Sequence, residues 1–183
     1  VLVDSVAKSN FIFTPTISCM GEKITAISSV KNASKLTWYI NKVESGSNSS
    51  VTYQTNKTDS IVEFKLIAKH QSSSCTDTMI KPYRFYPLPK PKFTIEQPIQ
   101  CAPFNDTLKV TGNNLSFVKW INTNDSSTIG LGQNVAYSNS ENGVKRITVI
   151  AENDYGCSKS IDTILRVLET PKLNLSINPQ KLC

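Results

Sequence analysis

The sequence predicts an all-β chain built as tandem β-sandwich domains, and three observations carry that prediction. The cysteines recur on a fixed ruler: 82 residues separate Cys19 from Cys101, Cys75 from Cys157 and Cys101 from Cys183. Tryptophan keeps the same ruler, Trp38 following Cys19 by 19 residues and Trp120 following Cys101 by 19, with 37 residues from each to the next cysteine. Between these landmarks run short segments of period two, rich in β-branched residues and broken roughly every 8–12 residues by Asn, Ser, Gly or Pro; none sustains a helical period.

Aligned on cysteine, the repeats read FIFTPTISC, FTIEQPIQC and LSINPQKLC, with a proline shortly before each cysteine and Phe11 in register with Phe93. A unit of this length exceeds the ~20–50 residues of helical solenoids and suits one small domain per repeat. The chain then divides into the end of a preceding repeat with its linker (1–9), a first repeat (10–88), a second (89–171) and the start of a third (172–183) that Cys183 opens. The proline-rich stretch LPKPK at 88–92 reads as an extended, semi-rigid linker joining the domains head to tail.

The strands follow in order. Ile24, Ala26 and Ser28 alternate with Thr25, Ile27 and Ser29, and the next run, Lys35 to Asn41, carries Trp38. VKWIN at 118–122 repeats that run around Trp120. Val62, Phe64, Leu66 and Ala68 alternate with Glu63, Lys65, Ile67 and Lys69. Ile147, Val149 and Ala151 form the second copy, one residue off the cysteine ruler, which puts a one-residue length difference in the loop before the second cysteine. About seven short strands around one tryptophan describe a β-sandwich, so Trp38 and Trp120 are expected in the two cores.

Composition narrows the function. The 20 basic residues exceed the 14 acidic ones and give a net charge of +6, but they are scattered singly. Nucleic-acid binding calls for a dense basic stripe, and no nucleic-acid partner is expected. No apolar run is long enough to cross a bilayer, so no membrane insertion is expected in this segment. The single histidine, His70, has no cysteine, histidine or carboxylate within four residues, and the seven glycines build no phosphate-cradling loop. The nucleophile candidates lack a neighbouring base. The expectation is no enzyme, no catalytic residue, no metal and no cofactor.

The pattern Cys-x-Gly-Glu at 19–22, then a strand, a tryptophan strand and a strand ending in Tyr-Gly-Cys at 155–157 resembles a known family. These are the immunoglobulin-like and PKD-like repeats of secreted Bacteroidota surface proteins, including giant gliding-type adhesins exported by the type IX secretion system. The second copy departs from the pattern with Cys101-Ala-Pro, and the Gly-Asp-Gly turn of PKD domains is missing, so the immunoglobulin-like label fits better. The resemblance implies an extracellular, cell-surface stalk or adhesive filament.

Five of the seven aspartates precede Ser or Thr and then an aliphatic residue. This resembles the Bacteroidota O-glycosylation sequon, which would put sugar on Ser5, Ser60, Thr78, Thr107 and Thr163. The alternative is that Asp-Ser/Thr merely opens strands after polar turns.

Regular single thiols in an extracellular array point to disulfides, and two connectivities are open. Pairing within each repeat, Cys19–Cys75 and Cys101–Cys157, would add about 4 kcal/mol per bond by loop entropy. In an immunoglobulin-like sandwich, however, these two cysteines sit at opposite poles, roughly 20 Å apart, whereas a disulfide spans about 4 Å between Cβ atoms. Topology therefore favours an inter-domain Cys19–Cys157 bond, with Cys75 reaching back to a preceding repeat and Cys101 and Cys183 finding partners beyond the segment. The function expected is a glycosylated, disulfide-stiffened structural and adhesive spacer. Its partners are neighbouring repeats of the same chain, covalent glycans and, beyond these, surface polysaccharide or other cell-surface proteins. The alternative is a glycan- or protein-binding adhesin module in its own right.

Overall fold

The computed structural model describes residues 8–71 and 74–175, which form sixteen strands and, among the described residues, no helix. No helix is therefore long and apolar enough to cross a membrane. Two units emerge. The first runs up to Pro89 and also takes in Glu152–Ser158; the second holds Lys90–Ala151 and the chain from Lys159 onward. The 152–158 segment, which the sequence ruler puts in the second repeat at 89–171, is counted with the first unit. The expected stretches at 1–7 and 176–183, with Ser5 and Cys183, lie outside the described residues.

In the first unit, β1 (Phe11–Thr14), β3 (Lys23–Ser28) and β6 (Ser50–Gln54) form one sheet in the order β1-β3-β6. The second sheet holds β2 (Ser18–Cys19), β4 (Ala33–Ile40), β5 (Val43–Gly46), β7 (Ser60–His70) and β8 (Thr76–Tyr86), in the order β2-β8-β7-β4-β5. Alternation decides which side chains face inward: on β7, Val62, Phe64, Leu66 and Ala68 are buried, one residue in two. Val62, Phe64 and Leu66 meet Ile24 and Ala26 of β3 and Phe11 of β1 around Trp38, which is wholly buried. Phe11 meets the indole edge to face at 5.1 Å, an arrangement worth about 0.5–1.5 kcal/mol beyond the area buried.

The second unit repeats this plan. Its smaller sheet orders β14 (Asn134–Asn139), β11 (Phe104–Asn113) and β9 (Lys90–Thr94). Its larger sheet orders β10 (Ile99–Cys101), β16 (Ser158–Leu168), β15 (Gly143–Glu152), β12 (Phe117–Asn122) and β13 (Thr128–Leu131). In both units a short early strand runs parallel to the last one, β2 with β8 and β10 with β16. This is the two-sheet immunoglobulin-like sandwich, twice. Trp120 is buried as deeply as Trp38. Each indole donates its Nε1–H to a backbone carbonyl two residues ahead of the next strand of the smaller sheet, Asn48 O at 2.9 Å and Gly132 O at 2.8 Å. A register shift follows each tryptophan directly, between Trp38 and Tyr39 and between Trp120 and Ile121.

The expected linker at 88–92 is shorter than its composition suggests. Lys90 to Lys92 already belong to β9, which pairs with β11 through Gly112↔Pro91 and Asn113↔Lys90. Two features permit this. β9 is an edge strand, where a proline costs no ladder bond. Gly112 also lacks a Cβ, which would otherwise stand 2.1 Å from the Lys90 carbonyl oxygen.

Candidate functional site: the Cys19 bridge

β2 is only two residues long, and its register places Cys19 against Tyr86 at the end of β8. The Met20 amide continues the ladder to Tyr86 O at 2.8 Å. The Cys-x-Gly-Glu turn then reverses the chain: Glu22 Oε2 accepts from the Cys19 amide at 2.7 Å, and Gly21 supplies φ +89°. This ties the cysteine backbone down on both sides.

Cys157 sits in the turn between β15 and β16. The turn is closed by the Asn153 amide donating to Cys157 O at 3.0 Å, with Gly156 at φ +78°. Buried Asn153 organises it. Its Oδ1 accepts from the amides of Tyr155 and Cys157, each at 3.0 Å, while Nδ2 donates to Pro87 O at 2.8 Å. A buried amide with its bonds filled contributes specificity that an apolar residue could not. The Cys19 and Cys157 sulfurs are joined at 2.03 Å, with Cα atoms 5.6 Å apart across 138 residues of sequence. Next to the bond the Tyr86 and Tyr155 rings stack at 4.0 Å. The Arg84 guanidinium lies 5.4 Å over the Tyr86 ring and is held by both carboxylate oxygens of Asp59, at 2.9 and 3.1 Å.

Pairing within a repeat, Cys19–Cys75 and Cys101–Cys157, is not what forms. Cys19 lies at the Tyr86 end of β8, while Cys75 directly precedes Thr76, at the other end of that strand. Eleven residues of strand lie between those ends, roughly 35 Å at the strand rise, far beyond the ~4 Å that a disulfide spans. Cys75 and Cys101 are exposed and outside the disulfide.

The glycosylation candidates separate by strand parity. Thr78 on β8 and Thr107 on β11 are exposed, each after a half-buried aspartate. Ser60 and Thr163 have the opposite parity and are half-buried, each after an exposed aspartate. The Ser60 Oγ is shielded from solvent without a hydrogen-bond partner. A hydroxyl sealed by the fold offers no room for a sugar, which removes Ser60 from the candidates. The aspartates also have structural tasks: Asp77 accepts from the Ser9 amide at 2.6 Å, and Asp162 from the Thr148 hydroxyl at 2.7 Å.

Among the described residues no three His, Cys, Asp or Glu side chains gather as a metal site would require. His70 is buried at the end of β7. The surface depressions are shallow; the one of about 400 Å³ in the first unit is lined by Tyr39, Lys42, Glu63, Lys65, Ile67 and Ile80. The sequence reading singled out the cysteines and the Tyr-Gly-Cys motif but missed Asn153, Tyr86 and the stacking of Tyr155 on it. Only the glycine in Tyr-Gly-Cys, which relieves a positive φ, signalled the tight turn.

No protein-family model matches the chain, and no curated protein sequence matches it. Among solved structures it is similar to the fibronectin(III)-like modules of Clostridium thermocellum CbhA, with 15% identity and a TM-score of 0.47 over 93% of this chain and 100% of that one. A 1.5-MDa bacterial ice-binding adhesin is similar at 12% identity and a TM-score of 0.46, over 92% of this chain and 67% of that one. An I-band fragment of titin is similar at 16% identity and a TM-score of 0.41, over 89% and 66%.

Proposed function

We propose that the chain is a load-bearing spacer: a segment of an extracellular tandem-repeat surface protein whose sandwich domains span distance rather than perform chemistry. The observation that carries this reading is the Cys19–Cys157 bond. In sequence it joins the first repeat to the second, and the segment it holds, 152–158, is counted with the first unit, so that segment is held both by the polypeptide and by the disulfide. A doubly tethered connection resists bending and extension more than a single linker does. Disulfides persist in oxidising, extracellular surroundings, which supports an exported protein. The Asp-Ser/Thr-aliphatic triplets support a secreted Bacteroidota source of the type IX, gliding-adhesin kind, glycosylated at exposed Thr78 and Thr107, with half-buried Thr163 a weaker acceptor.

Single-molecule pulling on the oxidised two-repeat chain tests the spacer. The contour released on unfolding should fall short of the full chain length by the residues enclosed by the bond, and reductant should restore them. Saturable binding of the isolated chain to a glycan array would overturn the reading in favour of an adhesin module.

A further inference from the structure

We propose that Tyr86 and Tyr155 form a cross-linking site, at which a peroxidase-type one-electron oxidant joins their rings by a carbon–carbon bond. The site stands on its own geometry and goes beyond the spacer reading. To a spacer it adds a tether that thiol reductants leave intact.

The two rings stack with centroids 4.0 Å apart and planes 23° from parallel. Both residues belong to the first unit. Among the described residues this is the one contact between two tyrosine rings. Tyr53, Tyr83 and Tyr137 meet phenylalanines instead, with planes 58° to 89° apart, and phenylalanine forms no phenoxyl radical. In the second unit Leu168 stands where Tyr86 stands in the first, so the pair has no counterpart there.

Both partners are held in place. The Met20 amide bonds Tyr86 O at 2.8 Å. Asn153 Oδ1 accepts from the Tyr155 amide at 3.0 Å, while its Nδ2 donates to the carbonyl of Pro87, the residue after Tyr86, at 2.8 Å. The Arg84 guanidinium, clamped by Asp59, lies 5.4 Å over the Tyr86 ring, a cation–π contact that restrains the ring. The Cys19–Cys157 bond closes the same turn. Groups held in line react as if at an effective concentration of about 10⁵–10⁸ M in the best cases. Tyr155 is 48% exposed, so an oxidant reaches it from solvent without entering the core.

The chemistry is phenol coupling. Each phenol gives up one electron and one proton and becomes a phenoxyl radical. Its unpaired density at the carbon ortho to the oxygen lies in a p orbital perpendicular to the ring, so a stacked neighbour meets it face on. The two ortho carbons form the new bond. Each then sheds its hydrogen as a proton, and each oxygen takes one up, which restores both phenols. Two electrons and two protons leave in all, and one hydrogen peroxide accepts them through the peroxidase to become two waters.

The test treats the whole chain, with Cys19–Cys157 intact and other accessible thiols capped by alkylation, with peroxidase and limiting hydrogen peroxide at low protein concentration. Free tyrosine is run in parallel as a check on the oxidant. After reduction and digestion, mass spectrometry should find the Tyr86 and Tyr155 peptides joined, two hydrogens lighter than their sum, in excess of all other tyrosine pairings together. Tyr86→Phe and Tyr155→Phe should each remove that product. The linked chain should keep its guanidinium unfolding midpoint when reductant is added, whereas the unlinked chain should lose part of it. Links scattered among the tyrosines, links between molecules, or tyrosines left unjoined while free tyrosine couples would each overturn the site. A linked chain weakened by reductant as much as the unlinked one would overturn the tether. Such results would leave the spacer reading standing, whereas glycan binding would remove that reading and leave the link unaffected.

Discussion

Cys19 and Cys101 end equivalent strands in equivalent registers, yet one is buried in a disulfide and the other faces solvent. Trp38 and Trp120 show no such divergence: both are wholly buried, both bond a carbonyl two residues before a strand, and both precede a register shift. The contrast teaches where each constraint comes from. The tryptophans answer to their own sandwich, so any isolated domain must keep them. The cysteines answer to whatever meets the end of the sandwich, so their state depends on what is supplied there.

The largest test of that comparison is to remove each cysteine in turn. Cys19→Ser should destabilise the chain by up to about 5 kcal/mol, the loop-entropy limit for so long a closed segment. Cys101→Ser, at an exposed thiol outside the disulfide, should stay within about 0.5 kcal/mol. Guanidinium unfolding of both variants decides, and reductant should erase the difference between them. Equal losses would mean that Cys19 matters for local packing, not for the bond.

Much of the fold was legible because burial imposes a period of two on any strand with one wet face. The Val62, Phe64, Leu66, Ala68 run and its copy at Ile147, Val149 and Ala151 were readable on that ground. The one-residue offset between them is visible in the closing bonds, which span His70 to Cys75 in one unit and Asn153 to Cys157 in the other. Two features escaped for physical reasons. The turn between β4 and β5 uses Asn41 and Lys42 at φ +47° and +70°, and lysine gives no hint of a left-handed backbone. β9 hid inside a proline-rich stretch because an edge strand needs only one side of its backbone. At the site, cysteine spacing pointed to the bond, but Asn153 looks like any turn residue until its three side-chain bonds are seen.

Gly112 tests the next difference. A Cβ there would stand 2.1 Å from Lys90 O, at a φ of +150°. Gly112→Ala should therefore peel the start of β9 from β11 and cost about 2–4 kcal/mol. The first unit has Val30 at the corresponding position, and its ladder begins only at Phe11. Val30 packs partly buried against the core, so Val30→Ala should cost about 1 kcal/mol from lost apolar burial alone. Hydrogen exchange gives a second readout: faster exchange of the β9 amides in Gly112→Ala, and an unchanged β1 in Val30→Ala.

The smallest effect concerns a pair that differs in charge chemistry. Tyr83 on β8 and Leu165 on β16 hold equivalent positions, and both are buried. Burial raises the Tyr83 phenol above its ordinary 10.0, with the charges of Glu22 and Tyr86 adding to the rise and the neighbouring Ser18 hydroxyl opposing it. The phenol donates to Pro15 O at 2.9 Å, which only its neutral form can do. The folded chain therefore holds this proton more tightly than the unfolded chain. The stability it contributes is complete below pH 10.0 and is lost as pH rises through the folded value. Leu165 cannot titrate, so this loss belongs to the first unit. Tyr83→Phe should cost about 1 kcal/mol at neutral pH for the missing hydrogen bond and flatten the alkaline slope. Unfolding followed across the alkaline range would show the two effects separately, and a slope unchanged by the substitution would assign the loss to other groups.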